Sequence, residues 1–217
     1  MAKIKINYTC QNCGYISARW LGRCPECESW SSMVEEAVTP SSPSLSLSNS
    51  IKSKPQAIKD IKLSESHRFG TGIGEFDRVL GGGIVAGSLV LLGGDPGIGK
   101  STLLLDVGMK FSLKGQKVLY VSGEESAAQT KLRADRLGKS TDNLLIMTET
   151  DLASILIEAN NAKPELLVID SIQTMHNSEL PTAAGSVGQI RECTGKLLRF
   201  AKENNIAVVI IGHVTKD

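Results

Sequence analysis

A chain of 217 residues with 41% apolar and 22% charged side chains is long enough for one substantial folded domain and a small companion. Its 24 Lys and Arg against 23 Asp and Glu leave a net charge of +1, which excludes a global positive field for nucleic acid, so any DNA contact must come from a local surface. The longest apolar runs, such as 206–211, are only strand-sized, and Met1-Ala2-Lys3 leads into no hydrophobic targeting segment, so a cytoplasmic protein without a membrane partner is expected.

The first 36 residues carry four of the five cysteines and both tryptophans. Cys10-x-x-Cys13 and Cys24-x-x-Cys27, ten residues apart, are two knuckles that can clamp one tetrahedral ion through four thiolates, and Zn2+ is the expected metal. A reducing compartment disfavours two disulfides. Four protein ligands leave no open coordination position, so the metal is expected to be structural and its binding energy to fold the segment. Trp20, Trp30 and Tyr15 are read as the small core of this knuckle, with base stacking as the alternative. Residues 37–58 form a Ser/Pro-rich linker with little to bury.

From residue 59 to 217 the pattern alternates between strands and helices. Strands are expected at 89–92, 117–122, 144–147, 166–170 and 206–211, and helices at 101–113, 126–137, 151–161 and 187–203. That order predicts an α/β fold with a mainly parallel sheet and helices on both faces. Cys193 falls on an apolar helix position and is read as a buried packing residue.

Between the first strand and the first helix, Gly94-Asp95-Pro96-Gly97-Ile98-Gly99-Lys100-Ser101 fits G-x-x-x-x-G-K-[ST] at every fixed position. Glycines let the backbone wrap closely around phosphate oxygens, and successive N–H groups at a helix N-terminus attract an anion. Lys100 is expected to reach the β and γ phosphates of ATP, with Thr102 opening the helix behind it. The Ser101 hydroxyl is expected to ligate Mg2+, and Asp170, ending an apolar strand, to hold the opposite side of the metal. One of Glu124 and Glu125, at the end of the strand 117–122, is placed to deprotonate the attacking water; both can alternatively serve as helix N-terminal carboxylates. His213 closes the last strand at the same edge, as a γ-phosphate sensor or as a polar strand cap.

The run from Arg68 to Gly83, the phosphate loop and Tyr120-Val121-Ser122-Gly123-Glu124-Glu125-Ser126 together resemble the RecA-type P-loop NTPase superfamily. With the four-cysteine knuckle and its Trp20-Leu21-Gly22-Arg23-Cys24-Pro25 segment, the chain resembles the bacterial RadA family of DNA repair proteins. The resemblance implies a DNA-dependent ATPase of homologous recombination, a ring-forming homo-oligomer that drives branch migration. It implies single-stranded DNA or branched recombination intermediates, and a recombinase protein, as partners. It assigns Lys100, Ser101 and Asp170 to nucleotide and magnesium, favours Glu124 over Glu125 as the catalytic carboxylate, and places His213 as the γ-phosphate sensor. Residues 171–188 fall at the family's first DNA-facing loop, although a surface loop with no DNA role fits equally. Because the sequence stops before a second DNA loop with a Lys-Asn-Arg-Phe-Gly motif and a protease-like domain, weak hydrolysis is expected. An ATP-gated binding module with little turnover, or a KaiC-like regulatory ATPase, are the alternatives.

Overall fold

The computed structural model describes residues 5–38, 55, 57–60, 68–138, 141–180 and 182–213; most of the linker expected at 37–58 and Pro181 of the expected DNA-facing loop lie outside them. The chain divides into two compact units, Met1–Ser66 and His67–Asp217.

In the first unit, β1 (Lys5–Cys10), β2 (Ile16–Ser17) and β3 (Met33–Val38) form an antiparallel sheet ordered β2-β1-β3. The two Cys-x-x-Cys turns are built alike. Gly14 donates its N–H to the Cys10 carbonyl and Glu28 donates to Cys24, both at 2.9 Å. Cys10, Cys24 and Met33 form the buried cluster, with Tyr15 packed against it. The expectation that both tryptophans join this core is wrong: Trp20 is 57% and Trp30 74% exposed, with the Arg23 guanidinium 5.9 Å from the Trp30 ring centre. Apolar identity does not compel burial, and a unit closed by four metal-ligating sulfurs needs little apolar area.

The second unit opens with a short hairpin, β4 (Arg68–Phe69) and β5 (Ile84–Val85), around helix α1 (Gly74–Val79). There follow β6 (Leu89–Gly94), α2 (Lys100–Leu113), β7 (Val118–Ser122), α3 (Ala127–Leu137), β8 (Leu144–Thr148), α4 (Leu152–Ala162), β9 (Leu166–Asp170), α5 (Val187–Asn204) and β10 (Ala207–His213). The five longer strands form a wholly parallel sheet ordered β6-β10-β9-β7-β8, the α/β architecture expected from the alternation.

Strand parity divides the core into two layers. Val118, Tyr120, Leu166, Val168, Val209 and Ile211 face Leu104, Leu105 and Phe111 of α2. Leu119, Val121, Leu167, Ile169, Val208 and Ile210 face Ile155 of α4 and Cys193, Leu197 and Phe200 of α5. Burial on both faces explains why β7, β9 and β10 read as continuous apolar runs. The Cys193 thiol is fully buried in the second layer, which pushes its pKa up to about 11.

Three helix starts are capped by side chains. Ser126 forms a reciprocal capping box with Gln129, Asp151 accepts from the Ser154 N–H, and Ser186 accepts from the Gln189 N–H. Between β9 and α5, buried Gln189 anchors the connecting segment. Its amide donates to the carbonyls of Asn177, Leu180 and Thr182 at 3.2, 3.4 and 2.9 Å, and its Oε1 accepts from the Asn177 N–H at 2.8 Å. Gln189→Ala takes this partner from the buried Asn177 N–H and from the carbonyls of Leu180 and Thr182, and is expected to lower unfolding stability by about 2 kcal/mol or more in a urea titration. An unchanged midpoint would show the segment to be held by other contacts.

Candidate functional site

Parallel registration brings the carboxyl ends of four strands to one edge. Gly94 on β6 is opposite His213 on β10, and Ser122 on β7 is opposite Asp170 on β9. Such an edge, with a loop leading into a helix, is where α/β sheets bind ligands. Here it opens into a cleft of about 340 Å³ lined by Pro96, Gly97, Gly99, Lys100, Ser101 and Thr102 on one side and by Glu124, Glu125, Arg133 and His213 on the other.

The loop from Gly94 to Gly99 is shaped by backbone conformation. Gly97 and Gly99 have φ of 79° and 94°, and a Cβ at either would meet no atom within 4 Å, so glycine is required by torsion rather than by space. Helix α2 has no side-chain cap, in contrast to α3, α4 and α5, which leaves its leading N–H groups to an anion. Lys100, 6% exposed, lies along the loop and donates to the carbonyls of Gly94 and Asp95 at 2.8 and 2.7 Å. The Ile98 side chain is 64% exposed and is not among the residues that line the cleft. These features fit a polyphosphate.

Asp170, 6% exposed, accepts from the Ser101 hydroxyl at 3.1 Å through Oδ1 and from the Tyr120 hydroxyl at 2.5 Å through Oδ2. Burial and the adjacent Asp170 charge push the Tyr120 phenol far above its ordinary range, so it remains a donor. A hydroxyl and a carboxylate meeting at the base of a phosphate loop are the hard oxygen donors that Mg2+ takes. In the sequence Tyr120 stands only within the run that carries the RecA-type resemblance, with no role for its hydroxyl.

Glu124 and Glu125 diverge. Glu124 Oε1 accepts from the Ser171 hydroxyl at 2.7 Å and lies 3.3 Å from His213 Nε2. The Ser171 hydrogen bond, opposed by partial burial and reinforced by His213 and Lys100, holds its carboxyl below the usual range. Glu125 instead forms an ion pair with Arg133 of α3. The approach of Glu124 to β9 depends on Gly123, whose N–H donates to the Asp170 carbonyl at 2.7 Å. A Cβ there would collide with Thr174 and come within 2.7 Å of Met175 Cε. Gln173 Nε2 donates to the His213 carbonyl at 3.2 Å, tying the start of the segment 171–188 to the end of β10. His176 and the other described residues of that segment do not line the cleft.

In the first unit, the four cysteine sulfurs lie within 4.8 Å of one another, with Cys10 to Cys27 at 3.6 Å and Cys13 to Cys24 at 3.5 Å. A tetrahedral zinc with bonds of about 2.3 Å needs sulfurs about 3.8 Å apart, close to the spacing of these two pairs. Hydrogen bonds from Ser29 hold the Cys27 thiol down at about 6, whereas Cys13, against a hydrogen bond from the Tyr15 backbone, is pushed up to about 12 by burial and the neighbouring cysteines, so the four sulfurs share their protons unequally until a metal displaces them.

Fold and cleft together define an α/β P-loop nucleotide-binding domain of the RecA-like kind, preceded by a four-cysteine zinc ribbon. Residues 54–217 match the family model described as an AAA domain, and the chain belongs to that family, whose cofactors are ATP and Mg2+. Residues 8–35 match the model of a rubredoxin metal binding domain, and with the four clustered cysteines this gives Zn2+ as the ribbon's metal. Along its whole length the chain is similar to bacterial DNA repair proteins named RadA. It is 50% identical to that of Bacillus subtilis (strain 168), 51% to that of Halalkalibacterium halodurans and 52% to that of Listeria monocytogenes, in each case over 100% of this chain and 48% of the relative. The chain thus spans about half the length of the curated relatives it matches. Among the described residues, no helix is long and apolar enough to cross a membrane.

Proposed function

We propose that the chain is the nucleotide-hydrolysing portion of a DNA repair ATPase acting on recombination intermediates in the cytoplasm. The observation that carries this reading is the convergence of Lys100, the Ser101–Asp170 pair and the Glu124–Ser171–His213 set on one cleft. The loop amides and Lys100 bind the β and γ phosphates, the ammonium exchanging its two loop carbonyls for phosphate oxygens. Ser101 and Asp170 would hold Mg2+, which would neutralise charge on the phosphates. Glu124, ionised and aimed by Ser171, orients a water at the terminal phosphate and takes its proton. His213, bridging Glu124 and the end of β10, senses the terminal phosphate, and Gln173 passes its state to the segment 171–188. Glu125, engaged by Arg133, has no part in proton transfer.

DNA enters as a partner because the relatives are DNA repair proteins, and the single-stranded or branched form, the homo-oligomeric ring and the recombinase partner are read from the same resemblance. The division into a ribbon at 1–36, a linker at 37–58 and an ATPase core at 59–217 belongs to the same proposal. The test is ATP turnover with and without single-stranded DNA at low and moderate salt. Stimulation that declines steeply with salt supports the reading, because phosphate contacts release counterions. Turnover indifferent to DNA at both salts would favour a regulatory ATPase acting on protein partners.

Ser171→Ala removes the principal influence that keeps Glu124 ionised. The acid limb of kcat/KM is then expected to move to higher pH, since a carboxylate whose pKa rises is lost as the base earlier on acidification. An unmoved limb would take Glu124 out of the proton-transfer step.

A further inference from the structure

We propose that Tyr120 is a positioning residue for magnesium: its hydroxyl fixes the Asp170 carboxylate so that Oδ1 meets Ser101. The proposal rests on reading the cleft as a Mg-nucleotide site and adds a residue to it.

Tyr120 and Asp170 come from neighbouring parallel strands and lie on the same sheet face. Tyr120 is opposite Val168, two residue pairs from the Ser122–Asp170 pair, and both Val168 and Tyr120 face the α2 layer. The phenol therefore reaches diagonally to the end of β9. It is 1% exposed and packed in the apolar cluster with Leu104 and Leu105, so its ring has no freedom to swing away. Its hydroxyl donates to Asp170 Oδ2 at 2.5 Å and passes 3.4 Å from the Ser101 carbonyl. The two oxygens of Asp170 consequently have different duties. Oδ2 is committed to Tyr120, and Oδ1 is left for the Ser101 hydroxyl at 3.1 Å.

A buried carboxylate holding a metal needs such a partner, because without a donor on its outer oxygen it can rotate or draw away from the ion. A phenylalanine would fill the same volume and preserve the sheet contacts, but it would free Oδ2. The hydroxyl, rather than the ring, is thus the part with a bearing on the metal. Removing hydrogen-bond partners of metal ligands typically costs about 10- to 100-fold in metal affinity.

The experiment measures binding of a fluorescent ADP to the 217-residue chain as a function of Mg2+, and separately in EDTA, for the wild type, Tyr120→Phe, Asp170→Asn and the double variant. The expected result is that Tyr120→Phe raises the Mg2+ concentration for half-maximal enhancement by about tenfold or more, with metal-free ADP affinity unchanged. On the Asp170→Asn background the same substitution is expected to add nothing, since Tyr120 acts through that carboxylate. An unmoved Mg2+ midpoint would overturn the proposal. So would equal losses with and without metal, additive effects in the double variant, or loss of the helical circular dichroism signal in Tyr120→Phe, each of which would assign Tyr120 to the fold alone. Absence of any Mg2+ enhancement in the wild type would instead overturn the reading of the cleft, and the role of Tyr120 with it.

Discussion

Glu124→Gln is expected to bind ATP as the wild type does and to hydrolyse it about 100-fold more slowly or worse, the usual cost of removing a positioned general base. The substitution keeps the side chain's size and its ability to accept from Ser171, 2.7 Å away, and removes only the negative charge that draws a proton. Glu125→Gln provides the contrast. Glu125 is already engaged by Arg133, so its substitution is expected to weaken that anchor of α3 and to leave turnover within a few-fold of normal. Single-turnover measurements with both variants separate binding from chemistry. If Glu125→Gln abolished turnover and Glu124→Gln did not, the catalytic role would pass to the neighbour and the Ser171–Glu124–His213 set would be structural.

Cys24→Ala is expected to release zinc and unfold the ribbon. Zinc supplies on the order of 10 kcal/mol or more to small four-cysteine units, and the buried cluster of the described ribbon contains only Cys10, Cys24 and Met33, too little apolar surface to fold without it. The ATPase core should keep its own thermal transition, because the described residues of its two apolar layers form a core within the second unit. Zinc release followed by a chromogenic chelator, together with calorimetry, tests both halves of the expectation. Retention of one equivalent of zinc would show that three cysteines suffice, and loss of the core transition would show that the two units stabilise one another.

What could be read in the sequence was local in kind. The phosphate loop is eight consecutive residues, the zinc ligands are two short repeats, and the strands β7, β9 and β10 are apolar runs because both sheet faces are covered. Helix boundaries came out within a residue or two where a Ser or Asp cap marks the start, as at Ser126, Asp151 and Ser186. The hairpin of β4 and β5 around α1 was not legible, since two-residue strands have no periodicity to detect. The tryptophans misled because aromatic character says little about burial in a unit that a metal closes.

Within the cleft, the pairings that set the chemistry join residues far apart in the chain. Tyr120 meets Asp170 across 50 positions, Glu124 meets Ser171 across 47, and His213 reaches back 89 to Glu124. No spacing rule encodes these contacts. They arise from strand order, which places β9 between β7 and β10 and so brings three chain segments to one edge. The divergence of Glu124 from Glu125 has the same origin. Adjacent residues leaving a strand end point to different neighbours, one toward β9 and β10 and the other toward α3.

The most direct test of the whole account is phosphate release from ATP by the purified chain in the presence of Mg2+, compared with Lys100→Ala. Lys100 is the cation that the loop holds at the base of the cleft, so the account predicts measurable turnover in the wild type and none above background in the variant. Equal turnover by the two proteins would place the chemistry somewhere other than the phosphate loop and contradict the assignment of the cleft.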